Sequence, residues 1–153
     1  MKIHTIFLAF LLMAGCSAPE KGSLDTDVLA RKVFDTLKSN DLEKYRLLIP
    51  GKEEFRRLYD LQKKDDAHFD ADYQQMRADQ SSQFTSFRST YAEWEQSEYA
   101  NTQDETVQTE NGTESLVVTK IRSNGQVQKF TFKANKINGR WYVTGPFAWV
   151  SHG

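Results

Sequence analysis

The chain has 153 residues, 39% of them hydrophobic and 27% charged, with 20 Lys and Arg against 21 Asp and Glu. That length suits one domain, and the near balance of charge argues against a general nucleic-acid binder. A single cysteine excludes a disulfide within the chain, so stability has to come from the core.

The first residues read as an export signal. One cation, Lys2, precedes an apolar run from Ile6 to Met13, and the small residues Ala14 and Gly15 follow. The run is shorter than the roughly 20 residues that a bilayer span needs. The segment Leu12-Met13-Ala14-Gly15-Cys16 resembles the lipobox of bacterial lipoproteins, with Met13 where leucine is usual. The resemblance implies cleavage before Cys16, acylation of its thiol with palmitate-type chains, and a membrane partner reached through that lipid. Ser17 stands where that family often carries an inner-membrane retention aspartate. The resemblance therefore favours the outer membrane of a bacterial envelope, on its periplasmic side. The expected organisation is a signal over 1–15, a lipidated cysteine and small polar tether over 16–23, and one domain over 24–153. Removing 1–15 leaves 138 residues and takes one cation with it, so 19 Lys and Arg face 21 acids, a formal −2.

Helices are expected next. Leu29, Val33 and Leu37 make one i, i+4 row within Asp25–Lys38, widened by Ala30 and Phe34. Ser39-Asn40-Asp41 stops that helix, and Asp41 can cap a short one carrying Leu42, Tyr45, Leu48 and Ile49. Pro50-Gly51 ends the second, and a third over 52–62 shows Phe55, Leu58 and Tyr59. No glycine or proline occurs between Gly51 and Gly112, which favours long helix. The longest is expected over 66–96, with Phe69, Tyr73, Met76, Gln80, Phe84, Phe87, Tyr91 and Trp94 on one stripe. A break is expected near Gln80, where the stripe turns polar. Asp65, Asp66, Asp70 and Asp72 suit the positive end of its dipole.

Strands follow the helices. Asn124-Gly125 and Asn138-Gly139 are signals for two-residue type I′ hairpin turns. They set Lys120 opposite Lys129, Val117 opposite Phe132, Thr119 opposite Phe130 and Ala134 opposite Val143. Alternation then puts Val117, Thr119, Ile121, Phe130, Phe132, Ala134, Trp141 and Val143 on the core face. The other face receives Lys120, Arg122, Lys129, Lys133 and Arg140. A short strand over 106–109 and another over 147–150 would complete the sheet. The expected class is α+β: N-terminal helices, one of them long, packed on a C-terminal antiparallel meander of three to five strands.

This arrangement resembles the NTF2-like, or cystatin-like, α+β superfamily. The resemblance rests on the opening helix Val28–Leu37, the step Asn40-Asp41 and the late strand Asn138-Gly139-Arg140-Trp141-Tyr142-Val143. That superfamily holds both enzymes and binding modules, so the likeness alone does not fix an activity.

The chemistry available is sparse. His68 is the one histidine inside the expected domain apart from the terminal His152, and His68-x-Asp70 is too short to mean a metal. There is no Gly-x-Ser-x-Gly elbow, phosphate loop or dinucleotide fingerprint. Asn111-Gly112-Thr113 reads as a turn. No catalytic residue, metal or cofactor is assigned. Phe84, Phe87, Trp94 and Trp141, with Phe147 and Trp149, either fill the core or line an apolar pocket between helix and sheet. Lys120, Arg122, Lys129, Lys133 and Arg140 either solvate the sheet face or form a basic docking face. The expected function is a membrane-anchored, non-enzymatic module binding an envelope protein or an apolar or anionic ligand. Two other readings stay open: an NTF2-like enzyme with its acid or base in a helix–sheet pocket, and an accessory subunit of an envelope complex.

Overall fold

The computed structural model describes residues 17–110 and 112–151. Cys16 and the segment before it lie outside the described residues, as do Asn111 and His152. Four helices come first: α1 (Thr26–Ser39), α2 (Leu42–Tyr45), α3 (Lys52–Leu61) and α4 (Phe69–Ser89), the last preceded by a 3-10 turn at Asp66–His68. Five strands follow, β1 (Glu98–Thr109), β2 (Gly112–Ser123), β3 (Gln126–Ile137), β4 (Arg140–Val143) and β5 (Ala148–Trp149). They form one antiparallel sheet in the order β1-β2-β3-β4, with β5 rejoining β3 beyond the end of β4. The fold is α+β, as expected. Among the described residues no helix is long and apolar enough to cross a membrane.

Local chemistry sets the helix ends. The Asp25 carboxylate accepts the Val28 amide at 2.7 Å, and Asn40 closes α1 in the left-handed region at φ 55°. Asp41 accepts the Lys44 amide and starts α2. Both hairpin turns hold two residues at positive φ: Asn124 and Gly125 at 50° and 76°, Asn138 and Gly139 at 50° and 79°. The register follows from them. Ser123 pairs with Gln126, Lys120 with Lys129, Val117 with Phe132 and Ala134 with Val143.

One core joins α1, α2 and the second half of α4 to the inner sheet face. Leu29, Val33, Phe34, Leu37, Tyr45, Phe84, Phe87 and Trp94 meet Val117, Ile121, Phe130, Phe132, Ala134, Trp141 and Val143. Gln80 does not break α4. It is buried in the stripe and accepts the Tyr45 hydroxyl at 2.9 Å, so a polar pair is satisfied inside the core.

The end of the long helix and the extent of the first strand both differ from expectation. The long helix ends at Ser89, not at residue 96, and β1 is a full twelve-residue strand rather than a stub at 106–109. Tyr91 and Trp94 still point inward because the chain leaves α4 through tight turns, and the Trp94 indole donates to the Arg88 carbonyl at 2.9 Å. The inward steps of three and four therefore outlast the helix and imitate its period. β1 gave no alternation because it is an edge strand exposed on both faces over most of its length.

A further correction concerns the outer face, expected to lie away from the helices and to meet water or acidic groups. At its β3–β4 end it is covered. Asn135, Ile137 and Tyr142 are buried there, together with Tyr59 and Phe69 of the helical layer. Leu58 and Leu61 of α3 border the same cleft as Ile137, and the Tyr142 hydroxyl lies 3.5 Å from Glu54. Phe55, Tyr59, Phe69 and Tyr73 make an aromatic cluster of their own, with ring centroids 5.3–5.7 Å apart. The helices thus grip one end of the sheet from both sides.

The chain before α1 belongs to the same structure. Ser23 exchanges backbone hydrogen bonds with Trp141 at 2.7 and 3.0 Å, and the Gly22 amide donates to the Leu47 carbonyl. Gly22 and Ser23 are buried, so these two residues of the expected tether are part of the domain. Ser17–Glu20 remain exposed.

Candidate functional site

Parity and register place Lys120, Arg122, Lys129, Lys133 and Arg140 on the outer face, but their surroundings divide them. Lys133 Nζ meets Glu114 at 2.9 Å, and Glu114 also accepts Asn135 Nδ2 at 3.3 Å. Arg140 clamps the N-terminal segment, with one nitrogen 2.7 Å from the Glu20 carboxylate and Nε donating to the Lys21 carbonyl. Glu20 takes Lys32 at 3.0 Å as well, and hydrogen bonds from Arg140 and then Lys32 hold its carboxyl below the usual range. These two cations are structural.

Lys120, Arg122 and Lys129 remain, and none has a carboxylate within ion-pair distance among the described residues. Lys120 and Lys129 face each other across β2 and β3, where like charges are unfavourable unless something anionic or solvent lies over them. Arg122 stands opposite Glu98 of β1 in the register, without an ion pair. Apolar side chains share this face: Leu116 is 49% exposed and Val127 39%. The result is an open, mixed apolar and cationic surface bounded by the free edge of β1.

The aromatic residues considered as a pocket are packed core. Phe87 stacks on Phe147 and Trp149 at 5.1 and 4.8 Å, and Phe84 on Tyr45 at 4.7 Å. Phe84, Phe87, Trp94 and Trp141 are all buried, and the principal clefts are lined by other residues. Burial pushes the Tyr45 phenol far above its usual range. Tyr99 is pushed up to about 12 by burial and by its bond to the Asp27 carboxylate.

Sequence reasoning missed the largest of the main clefts, about 690 Å³, between the N-terminal segment, α2, the start of α3 and α4. Lys21, Arg46, Lys52 and Arg77 line it together with Glu43 and Tyr73. The four cations come from four places in the chain, so no spacing links them. The one available hint was Arg77 beside the apolar Met76 of the α4 stripe.

His68 is exposed at the start of α4, and among the described residues no three His, Cys, Asp or Glu side chains are gathered as metal ligands would be. Glu54 is half-buried, and its Oε2 is enclosed without a hydrogen-bond partner, yet it borders none of the principal clefts. No protein-family model matches the chain, and no curated protein or solved structure does either.

Proposed function

We propose that this chain is a lipid-anchored protein of the bacterial envelope whose domain is a non-catalytic interaction module, docking an acidic partner on the outer sheet face. The observation that carries the docking role is the Lys120–Lys129 pair, which has no carboxylate within ion-pair distance among the described residues and shares its face with exposed Leu116 and Val127. Such a mixed patch suits a protein contact, with charge steering encounter and apolar area holding the complex. An enzyme of the NTF2-like kind would call for a pocket with a buried acid. Glu54 comes nearest to that description but opens onto no principal cleft, so binding is favoured. Anchoring rests on the lipobox ending at Cys16. The packing of α1 against β1, β2 and β4 is in keeping with the NTF2-like likeness, while the unbroken run of helices before the first strand departs from it.

Two measurements test the two halves. Cys16→Ala should lose radiolabelled palmitate and leave the membrane fraction, and normal labelling would reject the anchor. Charge reversal at Lys120 and Lys129 should weaken capture of an acidic envelope partner, most clearly at low salt, with the melting temperature nearly unchanged. Capture that is indifferent to both the reversal and salt would reject the docking face.

A further inference from the structure

The cleft at the root of the N-terminal segment has the make-up of an anion site. Four cations line it against one acid, Glu43. Arg46 is tied to Glu43 at 2.5 Å, and Lys52 is tied at 2.8 Å to Asp70 beside the cleft. Lys21 and Arg77 have no carboxylate within ion-pair distance among the described residues. Arg77 is half-buried and is held in place by one bond, donated to the Arg46 carbonyl at 3.0 Å. The rest of its guanidinium fork is free to donate. A guanidinium held by a backbone bond and an exposed ammonium lining the same cleft suit a phosphate group, which takes the fork in plane and the lysine as a point charge. Leu47, Ile49 and Ala78 add an apolar wall that a bare anion would not need.

Position narrows the source of the phosphate. Lys21 is five residues from Cys16, a reach of at most about 18 Å for extended chain. The Arg140 clamp on Glu20 and the Lys21 carbonyl, and the Gly22 bond to Leu47, fix the end of that short stalk to the domain. A chain anchored at Cys16 would therefore keep Lys21, at the rim of this cleft, within about 18 Å of the bilayer surface. We propose that the cleft binds the phosphate of an anionic phospholipid headgroup, with Lys21 and Arg77 as its main ligands. The choice of a lipid source rests on the anchoring proposed above; the phosphate chemistry does not.

The full chain, purified in an uncharged maltoside detergent, would be titrated with soluble dihexanoyl phosphatidylglycerol and followed by amide chemical shifts. Saturable shifts at residues 21, 46–52 and 73–81 are expected, and Lys21→Gln with Arg77→Gln should weaken binding about tenfold or more. Lys120→Gln with Lys129→Gln should leave that affinity unchanged. Should the double cleft variant fail to fold, Lys21→Gln alone serves, because its exposed ammonium pairs with no carboxylate among the described residues. No saturation, or shifts centred on the outer sheet face, would overturn the site. Equal affinity for inorganic phosphate would overturn the lipid source, and equal affinity for dihexanoyl phosphatidylcholine would overturn the requirement for net negative charge. None of these readouts needs the acyl chain, so a failure of the Cys16 labelling experiment and a failure of the cleft remain separate results.

Discussion

Truncating either Trp141 or Tyr142 to alanine should cost several kcal/mol, although the two side chains leave β4 on opposite faces. Trp141 is 7% exposed and belongs to the main core. Losing a buried aromatic of this size costs about 3–5 kcal/mol, a large part of the 5–15 kcal/mol by which a domain is stable. Tyr142 is 3% exposed and lies outside that core, against Gly22 and beside Glu54. Its loss should be comparable, because it would open a cavity between β4, α3 and the N-terminal segment. Val127→Ala, at 39% exposure on the uncovered part of the same face, should cost well under about 1 kcal/mol. Urea denaturation of the three variants measures this directly. If Tyr142→Ala were as mild as Val127→Ala, the outer face would not be covered at its β4 end. If Tyr142→Ala were severe and Trp141→Ala mild, the β3–β4 register would be wrong by one residue.

The hairpins were legible because their determinants are local. Two Asn-Gly pairs fix positive φ at both central residues, and the period of two does the rest. One turn thus carried Lys120 to Lys129 and the other carried Ala134 to Val143, without any knowledge of the helices. α1 was legible for the same reason, with Asp25 at one end, Asn40 at the other and an apolar row between them. What failed was long-range. Nothing local says that α3 would reach round to the far side of β4, and a buried tyrosine on a face rich in lysine and arginine looks like any amphipathic strand residue. β1 failed differently. Its sequence from Glu98 to Thr109 is polar at nearly every position, since an edge strand of this sheet has little apolar surface to contact on either side.

The candidate sites follow the same division. The three lysines and two arginines of the outer face could be grouped by parity alone, and the structure keeps all five on one side. Which of them were available could not be read, because Glu114 lies on the neighbouring strand and Glu20 lies 120 residues away from Arg140. The cleft cations were out of reach altogether. Lys21 enters the group only because Ser23 pairs with Trp141, and Arg77 only because α4 crosses beside α2.

The junction that brings Lys21 into place should be the most sensitive backbone position in the domain, and Gly22→Ala should be the most damaging single-methyl change. Gly22 sits at φ +61°, where an alanine is strained by roughly 1–2 kcal/mol. A Cβ there would also come within 2.8 Å of the Trp141 carbonyl oxygen and 2.8 Å of the Tyr142 ring. The carbonyl belongs to the Ser23–Trp141 bridge and cannot retreat without lengthening it, so overpacking should add about 1–3 kcal/mol. Gly139→Ala separates the two effects. It has a similar φ, +79°, but nothing lies within 4 Å of its Cβ position, so strain alone should appear. In urea denaturation Gly22→Ala should therefore fall clearly below Gly139→Ala. Hydrogen exchange at the Ser23 and Trp141 amides should quicken in the first variant and hold in the second. Equal losses in the two variants would mean that the segment does not pack against β4. Lys21 would then have no fixed place in the cleft that Arg77 lines, and the proposed phosphate site would lose one of its two unpaired cations.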